Sequence, residues 1–323
     1  MGLCGMAAAA SVATVVARRR TSLLGLAAPL VLMSLGALAL GPVALSRFDL
    51  WPAALTVSAL AALIAGRKRL AFPLLALGFA AKIYPAVLLP PMLIYVWRRE
   101  GRRQALASGS IFLGVSLAVF LPFLALGPHG VWASISEQAS RPLQIESLGA
   151  SLLLGAHQLW GLAVSVQSGH GSDNLAGALP HAFAVGQAFI QLAVIVALWV
   201  AFARGRPDAD RLLRLCAGAV CAFVAFGKVF SPQYLVWLIP LVALVRGRRG
   251  ALAGVLLVGA MVLTQLWFPY RYLELVYALD PTASWLVVAR DLVLVVLLVL
   301  LAWPARTPRF RSLREAGSDI RGR

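Results

Sequence analysis

The sequence predicts an all-α fold, a polytopic integral membrane helical bundle. Of its 323 residues, 61% are hydrophobic and only 13% are charged, and the mean hydropathy is +0.85. A soluble domain of this length does not bury that much apolar surface, so lipid must be part of the solvent. The basic residues also punctuate long apolar runs instead of forming one basic face.

The basic residues predict how the chain lies in the membrane. All but six of the 29 Lys and Arg residues fall in short clusters. The clusters lie at 18–20, 67–69, 98–103, 204–214, 246–249 and 306–323. Short basic loops between apolar spans mark the cytoplasmic side. This pattern excludes nucleic acid as a partner, despite a pI near 11.3, and predicts a multi-pass protein of the plasma membrane.

Placing every cluster on the cytoplasmic side predicts about 8–10 membrane segments in a single domain over 1–305. Residues 2–17 read as a short span entering from outside, the remnant of a longer one. The other simple spans are 22–41, 50–66, 107–127, 181–203, 211–228, 233–245, 250–268 and 284–304. Residues 306–323 form a basic cytoplasmic tail that lies against anionic headgroups.

The segment 70–97 is predicted to be a broken helical hairpin. Basic clusters flank it on both sides, so it crosses the membrane an even number of times. One straight helix of this length would reach about 42 Å, against roughly 30 Å of hydrocarbon, and two full crossings would be too short. The bend is placed at 82–85, where Pro85 removes a backbone donor. Lys82 then lies deep in the membrane, enclosed by protein or a water-filled cavity.

The segment 148–166 is predicted to be a helix on the outer surface. It is apolar enough for a span, but counting it as one would move the cluster 204–214 outside. The flanking segments 128–147 and 167–174 are expected to be external. No internal repeat and no soluble domain are evident.

The external loop contains several residues suited to chemistry. Arg141 carries a fork of donors for an anionic oxygen, and Glu146 or Glu137 would accept a proton. Gln138 and Gln144 offer the donors and acceptors that sugar hydroxyls require. The alternative is that Arg141 and Glu146 simply pair and cap the following helix.

Two lysines in helix-breaking segments are further candidates. Lys82 with Tyr84 would hold a lipid-linked phosphate, since an ionisable group inside a membrane indicates a functional site. The alternative is a snorkelling lysine or a structural pair with a carboxylate. Lys228 would be a second phosphate contact, and Gln233 or Tyr234 a sugar contact. The alternative there is a solvated interfacial turn with an anchoring tyrosine.

Three further charged sites have a weaker signal. Arg47 and Asp49 would form an ion pair beside the site, or Asp49 would be a base, although such a pair is more often structural. Arg271 lies in an aromatic interface segment and is a secondary phosphate candidate. Arg290 and Asp291 are interpreted as a structural pair.

Neither the histidines nor the cysteines show metal-ligand spacing, and no cofactor motif is present. The cysteines, Cys4, Cys216 and Cys221, sit inside apolar segments as small packing residues. We therefore expect neither a metal nor a cofactor.

Four motifs together resemble glycosyltransferase family 87. They are RFD at 47–49, KIYP at 82–85, RPLQIES at 141–147 and KVFSPQY at 228–234. The resemblance covers about 20–300 and implies a GT-C-like fold. It implies a polyprenyl-phosphate-dependent hexosyltransferase, typically of mannose, acting on the extracytoplasmic face. The implied partners are membrane lipid, a polyprenyl-phosphate sugar donor and a glycolipid or glycan acceptor.

One feature departs from that superfamily. Its catalytic aspartate usually lies in a large external loop after the first span, and this chain has no such loop. Either the start of the chain has been lost or misassigned, as in an N-terminal truncation, or the chain is an incomplete relative. Catalysis would then depend on Asp49, Glu137 or Glu146.

Two other functions fit the composition. A transporter or flippase of a lipid-linked or anionic solute would show broken helices at matching positions. The sequence indicates one broken hairpin and no matching second one. A catalytically inactive membrane subunit is the third possibility.

Overall fold

The structure is a computed structural model that describes residues 1–19 and 23–304. The predicted tail at 306–323 lies outside the described residues. The described helices are α1 Gly2–Arg18, α2 Leu23–Leu40, α3 Pro42–Ser46, α4 Leu50–Ile64, α5 Lys68–Ala81, α6 Leu89–Glu100, α7 Arg102–Leu126, α8 Pro128–Ser140, α9 Leu148–Trp160, α10 Ala178–Arg204, α11 Ala209–Ala225, α12 Leu235–Ala243, α13 Gly247–Trp267, α14 Tyr272–Ala278 and α15 Pro281–Ala302. Short 3-10 helices, Tyr84–Leu88 and Pro232–Tyr234, precede α6 and α12.

Within the described residues, four helices are long and apolar enough to cross a membrane: α7, α10, α13 and α15. Helices α7 and α10 leave large apolar side chains exposed, among them Leu121, Phe123 and Phe189. Side chains of this kind suit contact with lipid. The helices thus indicate a membrane protein, although fewer of them reach spanning length than the 8–10 segments expected.

Five of the basic clusters meet at one end of the bundle, which we call the basic end. Arg19 pairs with Asp210 at 2.8 Å, and Arg246 approaches the same carboxylate at 3.5 Å. Arg98 donates to the Ala203 carbonyl at 2.9 Å. The cluster 67–69 joins them through an ion pair described next. Clusters that are far apart in the sequence therefore lie together at one end of the bundle.

The broken hairpin predicted around 82–85 is confirmed. Helix α5 ends at Ala81, Lys82 is extended, and the 3-10 turn carries the chain into α6. Lys68, at the start of α5, pairs with Glu100, at the end of α6. Both arms therefore begin and end at the basic end, and their bend lies inside the bundle.

A second broken hairpin is present, so the expectation of only one was wrong. Helix α11 ends at Ala225, and the 3-10 turn Pro232–Tyr234 leads into α12. The ion pair between Asp210, at the start of α11, and Arg246, just after α12, joins the two ends of this hairpin. Pro232 opens the 3-10 turn, a position that tolerates the missing N–H. The two hairpins interlock through stacked rings.

That stack consists of three aromatic side chains. Tyr84 from the first bend stacks on Trp237 of α12 with ring centroids 4.1 Å apart. Tyr234 stacks on the same indole at 4.2 Å. Stacked aromatic pairs add to the free energy of burial, so the two bends are held together as one unit.

The polar segment after α7 is more regular than predicted. Residues 128–147 were expected to be a loop, but α8 occupies Pro128–Ser140. The helix predicted over 148–166 is confirmed as far as Trp160 and wrong beyond it, because α9 ends there with Gly161 in the left-handed conformation. Helix α9 also packs against α15 and α10, so one face of it is buried.

A small antiparallel sheet adds to the all-α fold. Its strands are β1 Leu143–Gln144, β2 Ser165–Gly169 and β3 Ser172–Ala176, in the order β1-β3-β2. The turn between β2 and β3 places His170 at φ 55° and Gly171 at φ 69°, as a two-residue type I′ hairpin requires. Leu143 and Leu175 pack beneath the sheet with Trp267. The sheet anchors the loop that contains the candidate residues.

Candidate functional site

Asp49 is the most deeply enclosed of the candidate bases. It stands at the start of α4 but does not cap that helix. Its Oδ1 accepts a hydrogen bond from Lys82 Nζ at 2.7 Å and another from Trp237 Nε1 at 2.7 Å. The residue is 1% exposed. Asp49 and Lys82 thus form a buried, oriented ion pair, and Trp237 is a contact that the sequence did not indicate.

Aromatic rings surround the ammonium group of Lys82. It lies 4.8 Å from the ring centroid of Phe48 and 5.1 Å from those of Tyr234 and Trp237. A cation over ring faces is stabilised by their quadrupoles. Of the interpretations given above for Lys82, the structure shows the pair with a carboxylate. Its predicted contact with a phosphate stays a prediction.

Tyr84 does not face a ligand. Its side chain is fully buried, and its hydroxyl is 3.2 Å from Thr56 Oγ1. Its ring supports the indole of Trp237. The predicted sugar contact by Tyr84 is therefore wrong for this conformation, because no surface of the residue is accessible.

Arg141 has only neutral partners. Its Nη2 donates to Ser172 Oγ at 2.9 Å, and its Nη1 reaches Gln138 Oε1 at 3.5 Å. No Asp or Glu of the described residues lies within ion-pair distance of it. The alternative in which Arg141 pairs with Glu146 is wrong. The sheet decides this outcome, because Ser172 stands at the start of β3.

Lys228 is a second cation that pairs with no carboxylate of residues 1–19 and 23–304. Its Nζ donates to the Ala139 carbonyl at 2.8 Å, and it interacts unfavourably with the charge of Arg141. Its own carbonyl accepts from the Gln144 N–H at 3.0 Å. Two like charges are therefore held side by side by neutral groups.

An apolar groove runs from these two cations along α10. Arg141 and Lys228 line it together with Val185, Phe189 and Leu192, and its volume is about 450 Å³. Phe189 is 70% exposed, and α10 is one of the four helices of spanning length. The groove thus combines a cationic mouth with an apolar wall that suits lipid.

Glu146 lies beneath the loop and is 3% exposed. Its Oε2 accepts from Gln144 Nε2 at 2.6 Å. Burial raises the pKa of Glu146 to about 8, although the charge of Arg290 acts in the opposite direction. A carboxyl group with this pKa is mainly protonated at neutral pH. Glu146 is therefore suited to donate a proton or a hydrogen bond. Gln144, also only 3% exposed, contacts Glu146 through its Nε2, and its predicted sugar contact stays a prediction.

Arg290 forms the predicted local pair with Asp291, and it also joins this cluster. It is fully buried, and its Nη2 donates to the Glu146 carbonyl at 2.7 Å. Its Nε lies 2.8 Å from Asp291 Oδ1, and its guanidinium lies 3.8 Å from the ring centroid of Phe230. A charge on an otherwise apolar helix was the signal that would have included Arg290.

The buried cluster has unused hydrogen-bonding capacity. Several of the buried side-chain atoms that have no hydrogen-bond partner in the described chain belong to this cluster, among them Gln144 Oε1, Glu146 Oε1, Trp267 Nε1 and Arg290 Nη1. Buried polar atoms of folded proteins are normally satisfied. These atoms therefore mark a polar interior beneath the loop that follows α8.

Tyr234 connects the separate groups into one site. Its ring contacts Lys82, and its phenol interacts electrostatically with Arg141, Asp49 and Glu146. Tyr234 is half-buried, so its accessible part faces the space between them. The structure thus brings together residues from four distant motifs.

Glu137 lies apart, in a second and more polar cavity of about 390 Å³. Its Oε1 is 2.6 Å from His170 Nδ1, and both side chains are well exposed. His181 and Pro142 line this cavity and the groove alike. Glu137 therefore stands beside the groove, on an exposed surface.

The other candidate residues make few side-chain contacts within the protein. Arg47 and Arg271 are exposed, and neither side chain forms a hydrogen bond or ion pair with any other described residue. Gln233 is half-buried, and Gln138 is exposed beside Arg141. Their predicted ligand contacts stay predictions.

Neither a metal centre nor a related protein identifies this site. No group of three or more His, Cys, Asp or Glu side chains is arranged to hold a metal ion in the part of the chain that the structure describes. Comparison of the chain with protein-family models, curated proteins and solved structures finds no match. The functional argument therefore rests on the geometry and on the motif resemblance, which stays a prediction.

Proposed function

We propose that this protein is a membrane glycosyltransferase that moves a hexose from a polyprenyl-phosphate donor to an extracytoplasmic acceptor. The observation that carries the proposal is the pair of cations, Arg141 and Lys228, at the mouth of the apolar groove on α10. The resemblance to glycosyltransferase family 87 favours mannose as the hexose.

The groove fits the two halves of a lipid-phosphate donor. Arg141 and Lys228 have neutral partners only in the described chain, so an anion between them would relieve their repulsion. A guanidinium binds phosphate oxygens through a fork of donors, and an ammonium acts as a point charge. Val185, Phe189 and Leu192 offer the isoprenoid tail an apolar surface.

The charges also suit the transfer itself. The acceptor hydroxyl oxygen forms a bond to the anomeric carbon as the bond from that carbon to the phosphate oxygen breaks. The bonding electrons leave with the phosphate, where Arg141 and Lys228 stabilise the negative charge. The hydroxyl proton passes to a carboxylate base.

Asp49 is the base that this geometry favours. Lys82 and Trp237 both bind its Oδ1, and no described residue donates a hydrogen bond to Oδ2. Glu146 is mainly protonated at neutral pH, because burial raises its pKa to about 8. Glu137 is exposed and engaged with His170.

The test is transfer of radiolabelled mannose from a polyprenyl-phosphate-mannose donor in vesicles that contain the purified protein. We expect Arg141→Gln together with Lys228→Met to lose donor binding and transfer. Arg69→Gln removes an exposed arginine of the basic end, outside the groove, and is the matched control. Wild-type protein that binds the donor and transfers no hexose would refute the enzymatic function and retain only the donor site.

One observation favours transport as a second candidate. The two broken hairpins each place a lysine just before a 3-10 turn, and matching broken helices are typical of transporters. A fluorescent polyprenyl phosphate in proteoliposomes would measure flipping directly. Flipping that depends on Lys228, without any hexose transfer, would replace the first proposal with this one.

A further inference from the structure

A large cavity lies at the basic end of the bundle, away from the bends of the two hairpins. Its volume is about 980 Å³, and apolar residues of α2 and α13 line it, including Leu32, Leu35, Val255 and Val258. This volume is at the upper end of the range of about 300–1,000 Å³ for ligand pockets. We call it the basal groove.

Two arginines stand at the rim of the basal groove. Arg19 and Arg246 both line it, and both approach the carboxylate of Asp210, at 2.8 Å and 3.5 Å. One carboxylate cannot neutralise two guanidinium groups. The rim therefore has an excess of positive charge beside an apolar interior.

Of the two arginines, Arg19 gives the more specific evidence for an anionic ligand. Its side chain is only 9% exposed, and its Nη1 donates to Asp210 and, at 3.4 Å, to the Leu244 carbonyl. Its Nη2 is buried and has no hydrogen-bond partner in the chain outside 20–22 and 305–323. Leaving a buried charged donor unsatisfied is costly, so an acceptor of compatible charge at this point would stabilise the fold.

We infer that the basal groove binds a phospholipid with a net anionic headgroup. A phosphate oxygen accepts from Arg19 Nη2, and an acyl chain lies between α2 and α13. Basic pockets between membrane helices are suited to such headgroups. A zwitterionic headgroup fits less well, because its cation would stand next to Arg246. This inference does not depend on the proposed glycosyl transfer.

Binding of phosphatidylglycerol tests it, with phosphatidylcholine of the same acyl chains as the reference. Both lipids are titrated into the detergent-solubilised protein, and bound lipid is counted by native mass spectrometry. We expect phosphatidylglycerol to bind at least about fivefold more tightly, the effect of one favourable charge contact. Equal affinities for the two lipids would overturn the inference.

Two variants separate the headgroup from the groove. Arg19→Gln removes the unpartnered donor, and Val255→Trp fills the groove from an exposed position on α13. We expect both to weaken phosphatidylglycerol binding about fivefold or more, while Arg19→Lys retains part of the affinity. Arg69→Gln, which changes an exposed arginine of the basic end outside the groove, is the matched control and leaves binding unchanged.

Folding of each variant is checked by its size-exclusion profile and melting temperature. Should Arg19→Gln fail to fold, Arg246→Gln at the more exposed rim position and Val255→Trp decide the question. Wild-type affinity in the folded rim variants would overturn the inference.

Discussion

Lys82 and Lys228 occupy matching places in two broken hairpins, yet their surroundings differ. Each follows the end of a helix and precedes a 3-10 turn that leads into a short helix. Lys82 packs against the buried Asp49 carboxylate and three aromatic rings. Lys228 stands beside Arg141 and donates to a carbonyl. The two hairpins are alike in local structure, but a carboxylate neutralises the lysine of the first, and no carboxylate of the described residues neutralises the lysine of the second.

This difference separates two roles for a positive charge. A lysine with a buried carboxylate partner orients that carboxylate, and removing either member leaves an unpaired charge. A lysine that has only neutral partners and lies beside another positive charge is free to bind an anionic ligand. The first hairpin thus positions the proposed base, and the second supplies the proposed phosphate site.

The largest effect is expected from Asp49→Asn. The change removes the proposed base, and transfer should fall about 10²–10⁴-fold. It also leaves Lys82 unpaired, which should lower the free energy of unfolding by about 3–5 kcal/mol. The measurements are hexose transfer in vesicles and melting temperature.

The double variant Asp49→Asn with Lys82→Met separates catalysis from folding. It removes both charges, so stability should return while transfer stays lost. Recovery of transfer in the double variant would show that Asp49 is only half of a structural pair.

A smaller and different effect is expected at Lys228. Lys228→Met removes one charge-assisted contact to the donor phosphate, worth about 1.5–3 kcal/mol, so donor affinity should fall about 10- to 150-fold. Stability should hold or rise slightly, because repulsion with Arg141 disappears. Donor titration with a melting curve distinguishes this pattern, and a large loss of stability would contradict the comparison of the two lysines.

Glu146→Gln should change the pH dependence of stability more than transfer at neutral pH. Because the folded-state pKa is raised from 4.5 to about 8, the folded chain holds the proton more tightly than the unfolded chain does. The stability from this group is complete below about 4.5 and is lost as pH rises to about 8, at up to 1.4 kcal/mol per pH unit. Melting temperatures from pH 5 to 9 should show a flatter profile for the variant.

The transfer rate of Glu146→Gln should stay within about tenfold of wild type at neutral pH, because the group that is replaced is already protonated there. A loss as large as that of Asp49→Asn would make Glu146 the base.

The smallest effect is expected from Glu137→Gln. Its pair with His170 is exposed on both sides, and such pairs contribute about 0–1 kcal/mol. Transfer and stability should both stay near wild type. A loss of transfer beyond tenfold would place the base in the polar cavity next to the groove.

Much of the fold was predictable because its signals are local. The basic clusters punctuate apolar runs, and the structure brings five of them to one end. Pro85 removes a hydrogen-bond donor, and the chain bends there. The missed second hairpin had the same signal at Pro232, but its arms were interpreted as two simple spans. The sheet was missed because its strands are at most five residues long.

The candidate site was predictable only in its composition. Lone charges on an apolar chain identified Asp49, Lys82, Arg141 and Lys228. Their pairing depends on segments far apart in sequence: Trp237 reaches Asp49 across 188 positions, and Arg290 reaches Glu146 across 144.

The sequence by itself determined the helical bundle, its basic end and the set of charges with no role in membrane topology, because these depend on hydropathy and on neighbouring residues. The tertiary structure decided which cations are compensated and which carboxyl group is protonated. Both properties arise from burial and from the distance to groups on other helices, and local sequence specifies neither.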